Sequence, residues 1–115
     1  MTGKFLKTAL LLLATSMPSS LAADPVQNTI GDTTLTAELV LAEGKTFADG
    51  IALITHGTLA HSKMDIVQAL QDNLQNAGHS SLAINLSLGN PDREFMYDCK
   101  VPHNHRFHDA MVEIE

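Results

Sequence analysis

Basic residues are scarce: the 115-residue sequence carries 7 Lys and Arg against 13 Asp and Glu, a net charge of −6. No basic cluster stands out, which argues against a surface for phosphate backbones or anionic membranes. Cysteine is scarcer still, with Cys99 alone. Exported proteins tend to pair their cysteines, so this one is expected to be a buried or free thiol, or to have its partner on residues this chain lacks. No apolar run reaches the ~20 residues that span a bilayer. Internal repeats, low-complexity tracts and linkers between domains are also lacking.

The N-terminus is different in kind. Lys4 and Lys7 precede the short apolar core Ala9–Ala14, and the small residues Ser16, Ser19, Ser20, Ala22 and Ala23 follow. This three-part layout predicts a secretory signal peptide over residues 1–22, cleaved after Ala22 or one residue later, and hence a periplasmic or secreted product. Cleavage there leaves 93 residues and, with Lys4 and Lys7 gone, a charge of −8. The mature chain, 23–115, has the size of one small domain or part of a larger one.

Periodicity sets the expected elements. Residues 24–28 read as a loose lead-in and Gln27–Ile30 as a short strand, turned by Gly31–Asp32. In Thr33–Leu41, Leu35, Ala37, Leu39 and Leu41 alternate with Thr34, Thr36 and Glu38, the period of a half-buried strand. Gly50–Thr55 is almost wholly apolar, as in a strand buried on both faces. Ser62 then offers an N-cap with Asp65 three residues on. Met64, Val67, Leu70, Leu74 and Ala77 form a helical stripe, stopped by Gly78. Ser81–Leu86 reads as a second buried strand, so the order predicts a parallel βαβ unit. The stretch 87–105 is loop-like, with Asp92–Glu94 a solvated turn and Phe95 and Tyr97 covering a small apolar patch. A further helix begins near Phe107, with Ala110, Ile114 and Met111 toward the core.

Chemistry is expected at the C-terminal end of the Gly50–Thr55 strand, the edge where ligand sites gather in open α/β sheets. There His56–Gly57–Thr58 makes the turn toward the helix, and glycine lets backbone N–H groups approach an oxyanion. An ordinary strand-to-helix turn accounts for the same residues. A second cluster, His103-x-His105-x-x-His108 with Asp98, Cys99 and Asp109 nearby, offers imidazoles suited to zinc or copper. It matches no specific metal motif, and a polar loop entering a helix accounts for it equally.

The hairpin, the buried strand ending in His56–Gly57, the helix and the next strand together resemble the N-terminal portion of the α/β-hydrolase family, over about residues 27–115. The resemblance implies an α/β fold with a partial hydrolase-like sheet. IALITHGTLAHS would be the third strand and oxyanion loop, with the Thr58 N–H a donor and His56 ordering the loop. It implies hydrolysis of a small ester or similar acyl bond, with no cofactor. Family topology would also leave the His56 strand with an open edge, prone to self-association.

The family's G-x-S-x-G nucleophile elbow does not occur in this sequence. Gly78–His79–Ser80–Ser81–Leu82 ends wrongly and runs from helix to strand. Asn85–Leu86–Ser87–Leu88–Gly89 follows a strand but lacks the first glycine, leaving Ser87 as the candidate nucleophile or a residue lining the site mouth. The family's acid and late histidine have no counterpart. The expectation is therefore a truncated gene product, a fragmentary gene model or a short paralogue, inactive alone. A small exported metal- or ligand-binding module using His103, His105 and His108 is the alternative, and a subunit completed by another chain is a third.

Overall fold

The computed structural model describes residues 22–90, 92–102 and 104–115. The expected signal peptide therefore lies outside the described residues, Ala22 excepted. Four strands, β1 (Asp24–Ile30), β2 (Thr33–Val40), β3 (Ile51–Ile54) and β4 (Ser80–Asn85), and two helices, α1 (Asp65–Asn76) and α2 (Phe107–Ile114), form a small mixed α/β domain. The sheet order is β1-β2-β4-β3.

β1 and β2 form an antiparallel hairpin from Asp24↔Leu39 to Ile30↔Thr33. Gly31, at φ 60°, supplies the left-handed turn residue, a conformation that costs glycine little. The hairpin corrects the loose lead-in: strand pairing begins at Asp24, because β2 offers a full-length ladder to pair with.

β2 pairs antiparallel with β4, and β3 pairs parallel with β4 through α1, as the βαβ reading expects. Opposed residues share a face. One face therefore carries Thr36, Glu38, Val40, Ser81, Ala83 and Asn85, and the other Leu35, Ala37, Leu39, Leu82 and Ile84. α1 lies on the first face against β4, where Ala83 and Ser81 are completely buried. Ile114 of α2 joins Leu35, Ala37, Leu53, Leu82 and Ile84 around a cavity of about 390 Å³ on the second. Ala110 and Ile114 are half-buried as expected, whereas Met111 is exposed.

Several expectations are corrected. Ser62 does not cap α1: the helix begins at Asp65 behind Met64, with no side-chain cap. The Ser62 N–H instead donates to Asn85 Oδ1 at 3.4 Å, which pulls residue 62 under the end of β4. The chain then needs a turn, closed by Met64 N–H to His61 O, before the helix starts. The α1 stripe is also rotated. Val67 and Gln71 are its buried residues, while Leu70 and Ala77 are exposed. Gln71 is tolerated inside because its Nε2 donates to Glu38 O at 2.9 Å, as Gln75 donates to Leu41 O at 3.0 Å; a buried amide is costly only when unpaired. Gly78, at φ 83°, does end the helix, with His79 N–H returning to Leu74 O at 2.8 Å, as in a glycine C-cap.

β3 is not buried on both faces. It is an edge strand among the described residues, and Leu53 is 45% exposed. Its sequence, IALI, has none of the charges or prolines that blunt natural edges, whereas β1 at the opposite edge contains Asp24 and Pro25. Unblunted edges template pairing with other chains. Leu53→Lys is accordingly expected to reduce aggregation of the chain markedly while changing stability by less than about 1 kcal/mol. Light scattering beside urea unfolding checks both, and unchanged aggregation would remove the β3 edge as its cause.

Candidate functional site

β3 and β4 run parallel, so both deliver their following loops to one edge of the sheet. His56 sits two residues beyond β3 and binds that edge together. Its Nε2 accepts the Leu86 N–H at 3.0 Å. The ring proton therefore resides on Nδ1, which donates to Gly57 O at 2.8 Å. The imidazole is half-buried, and desolvation holds its pKa below the usual histidine value, with the nearby Arg93 charge acting the same way and the Gly57 carbonyl opposing. A neutral histidine with both nitrogens engaged orders the loop and has no free nitrogen for proton transfer.

Gly57, Thr58 and Leu59 are exposed. A turn closed by Ala60 N–H to Gly57 O at 3.0 Å shapes them. Thr58 thus lies exposed in the turn that follows β3.

The centre of this edge is Arg93, which corrects the reading of Asp92–Glu94 as a solvated turn. Arg93 is only 9% exposed. Nη1 donates to Leu86 O at 2.7 Å and to Asn85 Oδ1 at 3.3 Å, and Nη2 donates to Ala60 O. The Arg93 carbonyl accepts from Asn85 Nδ2 and from Thr36 Oγ1. One residue therefore staples the loop after β3 to the exit of β4 and back to β2. Burial lowers the guanidinium pKa, and Glu113 opposes that effect. Its neighbours behave as expected of a loop: Asp92 and Glu94 are exposed, and Lys63 sits between Glu38 and Glu94 at 3.8 and 3.3 Å. Phe95 is mostly exposed but meets His61 edge-on at 5.9 Å and lies under Lys63.

Ser87 lies two residues beyond β4 and meets Glu113 of α2. It is 3% exposed. Leu88 and Gly89 both adopt left-handed φ, 53° and 80°, so the chain reverses sharply behind it. A Cβ on Gly89 would stand 3.0 Å from Asn104 O, so both conformation and space require glycine. Ser87 Oγ donates to Glu113 Oε1 at 2.5 Å, and Ser87 N–H donates to Glu113 Oε2 at 2.8 Å. Gly89 N–H donates in turn to Ser87 Oγ at 3.0 Å. His105 Nδ1 lies 3.9 Å from Glu113 Oε1. In this order the carboxylate stands between serine and imidazole, whereas nucleophilic activation needs the imidazole against the hydroxyl.

His105, His108, Asp109 and Glu113 border one cleft of about 360 Å³. His103 lies outside the described residues. Among the described residues, no group of three or more His, Cys, Asp or Glu is arranged to hold a metal ion. Cys99 is exposed and free, and Ser80 is buried, its Oγ accepting the Ala42 N–H at 3.0 Å. The residues missed at sequence level are Arg93, Asn85 and Glu113. Glu113 did carry a signal: it falls beside Ile114 and three residues after Ala110, on the inward stripe of α2.

Arg93→Ala leaves several carbonyl and amide groups buried without their donor and is expected to cost about 2–3 kcal/mol in urea unfolding. Arg93→Lys recovers only part, since an ammonium lacks the planar fork. The depressed His56 pKa favours the neutral ring in the folded state. Its contribution to stability is therefore complete above the unfolded value of 6.5 and declines as pH falls through that value toward the lower folded one. Unfolding curves at pH 7.5 and 5.5 should show a steeper loss for wild type than for His56→Gln, and equal losses would exclude His56 as the source.

No protein-family model and no curated protein matches this chain.

Proposed function

We propose that this chain is an exported protein carrying the N-terminal part of an α/β-hydrolase-type domain, with its oxyanion loop at His56–Gly57–Thr58. The nucleophile is supplied from outside this sequence, and the reaction is hydrolysis of an ester or similar acyl bond. The supporting observation is the exposed Gly57–Thr58 turn at the C-terminal edge of a parallel β3-α1-β4 unit, held by the neutral His56 and by Arg93. Such an edge is where open α/β sheets bind ligands.

The handedness of crossovers supports an incomplete sheet. α1 covers one face on the step from β3 to β4, and α2 lies on the other. A right-handed connection from β4 through α2 must step in the opposite direction. The free position in that direction is beyond β3, at the unblunted edge. A strand placed there would bring its own C-terminal end beside Thr58.

Ser87 lines the site mouth in this reading and is not the nucleophile, because Glu113 holds its hydroxyl. The purified mature chain, residues 23–115, is expected to hydrolyse an activated acyl ester no faster than buffer. Turnover abolished by Ser87→Ala would make Ser87 the nucleophile of a short enzyme, and turnover dependent on added zinc would move the function to His103, His105 and His108. Genomic sequence downstream of the Glu115 codon provides the positive test. A strand ending in G-x-S-x-G, in frame or after one frameshift, supports the reading, and its absence counts against it.

A further inference from the structure

The grip of Ser87 on Glu113 has the form of a ligand site already filled. Each carboxylate oxygen receives one donor: Oε2 takes the Ser87 N–H at 2.8 Å and Oε1 takes the Ser87 hydroxyl at 2.5 Å. Hydrogen bonds to an ionised acceptor are stronger than neutral ones. The Gly89 N–H, donating to Ser87 Oγ at 3.0 Å, orients the hydroxyl proton toward the carboxylate. The donor pair is fixed by the backbone reversal at Leu88–Gly89, so it belongs to the loop and not to α2.

The surroundings suit an anion of this shape. His105 Nδ1 stands 3.9 Å from Oε1, and Arg93 is near enough to sense the charge of Glu113. Asp109 is the opposing charge on the cleft wall. The cleft continues past the carboxylate for about 360 Å³ and includes the apolar Ile30 and Val112, which leaves room for a short apolar tail.

α2 itself is loosely held. Phe107 is 83% exposed, and Met111 and Val112 also face solvent. No residue of the helix is buried. Glu113 is thus the principal polar tie between α2 and the β4 exit, and its carboxylate can be exchanged for another without dismantling a core.

We infer that the Ser87 loop is a binding site for small monocarboxylates with a short apolar tail, and that Glu113 occupies it as an internal, autoinhibitory ligand. The inference goes beyond the hydrolase reading and is independent of it, since it uses Ser87 as a donor pair and not as a nucleophile.

Acetate at pH 7 is the probe, with chloride at equal ionic strength as the reference. Melting temperature of the full chain is the readout, because a ligand that binds only the folded state raises it. Glu113→Ala empties the site. At 100 mM acetate its melting temperature is expected to rise by roughly 2–4 °C over chloride, while wild type moves by less than about 1 °C. Ser87→Ala combined with Glu113→Ala abolishes the rise. Should Glu113→Ala fail to fold in chloride, recovery of its helical signal in acetate is the same positive result. Glu113→Gln, which keeps the side-chain volume without the charge, is expected to show a smaller rise. No acetate effect in either single variant overturns the inference, and so does an equal effect in wild type or in the double variant. Ester hydrolysis is not read in this experiment, so its failure leaves the hydrolase reading untouched, and the reverse holds too.

Discussion

The Arg93 guanidinium is the constraint on which the rest of the site depends. A cation this far out of water is expensive unless its donors are met, and the acceptors here are mostly backbone carbonyls: Ala60 O from the loop after β3 and Leu86 O from the exit of β4. Those carbonyls come from segments far apart in sequence. Meeting its two terminal nitrogens therefore fixes the spacing of two loops, although Nε is buried without a partner among the described residues. Asn85 completes the arrangement by accepting from Arg93 and from the Ser62 N–H while donating to the Arg93 carbonyl. His56 adds a third tie through the Leu86 N–H. Adjacent backbone groups of Leu86 are thus held from two directions, its N–H by histidine and its carbonyl by arginine.

This polar knot lets the loops at the sheet edge be exact in geometry although the apolar core beneath them is small. β4 lies between β2 and β3 with α1 against it, and all but one of its residues are buried. Its two ends serve different purposes. The N-terminal end uses the Ser80 hydroxyl to receive the Ala42 N–H, a structural bond. At the C-terminal end, Asn85 bonds within the arginine knot, whereas Ser87, past the end of the ladder and free of strand alternation, bonds Glu113 of α2. One strand exit thereby feeds two separate polar clusters, one rigid and buried, the other bordering a cleft beneath a lightly held helix.

The two edges of the sheet express a further contrast. β1 is polar, contains a proline and needs no neighbour. β3 is apolar and, among the described residues, has a neighbour on one side only. Stability and solubility pull against each other there, since the residues that pair well with β4 also leave an apolar edge exposed. The His56–Gly57–Thr58 turn follows this strand, so in the proposed reading any strand that pairs with β3 would also border the turn.

Local periodicity determined much of this protein directly. The alternation in Thr33–Leu41, the glycine turns at 31 and 78, the helical spacing before Gly78 and the start of α2 at Phe107 all report on neighbours a few residues away. The order of these elements carried the parallel βαβ unit, and with it the placement of His56, Gly57 and Thr58 at a sheet edge. What only the tertiary structure decided concerns residues whose partners are distant in sequence. Arg93 is flanked by Asp92 and Glu94, which disguise it as part of a solvated turn, and nothing local reveals the Ala60 carbonyl 33 residues away. Ser62 looks like a cap but is captured by Asn85. Gln71 is polar yet buried, because its acceptor is the backbone of another element. Ser87 reads as an incomplete nucleophile until Glu113, 26 residues later, takes both of its donors. A sequence records the hydrogen-bonding capacity of each side chain; which capacities cancel is settled only when folding brings distant donors and acceptors together in a space from which water is excluded.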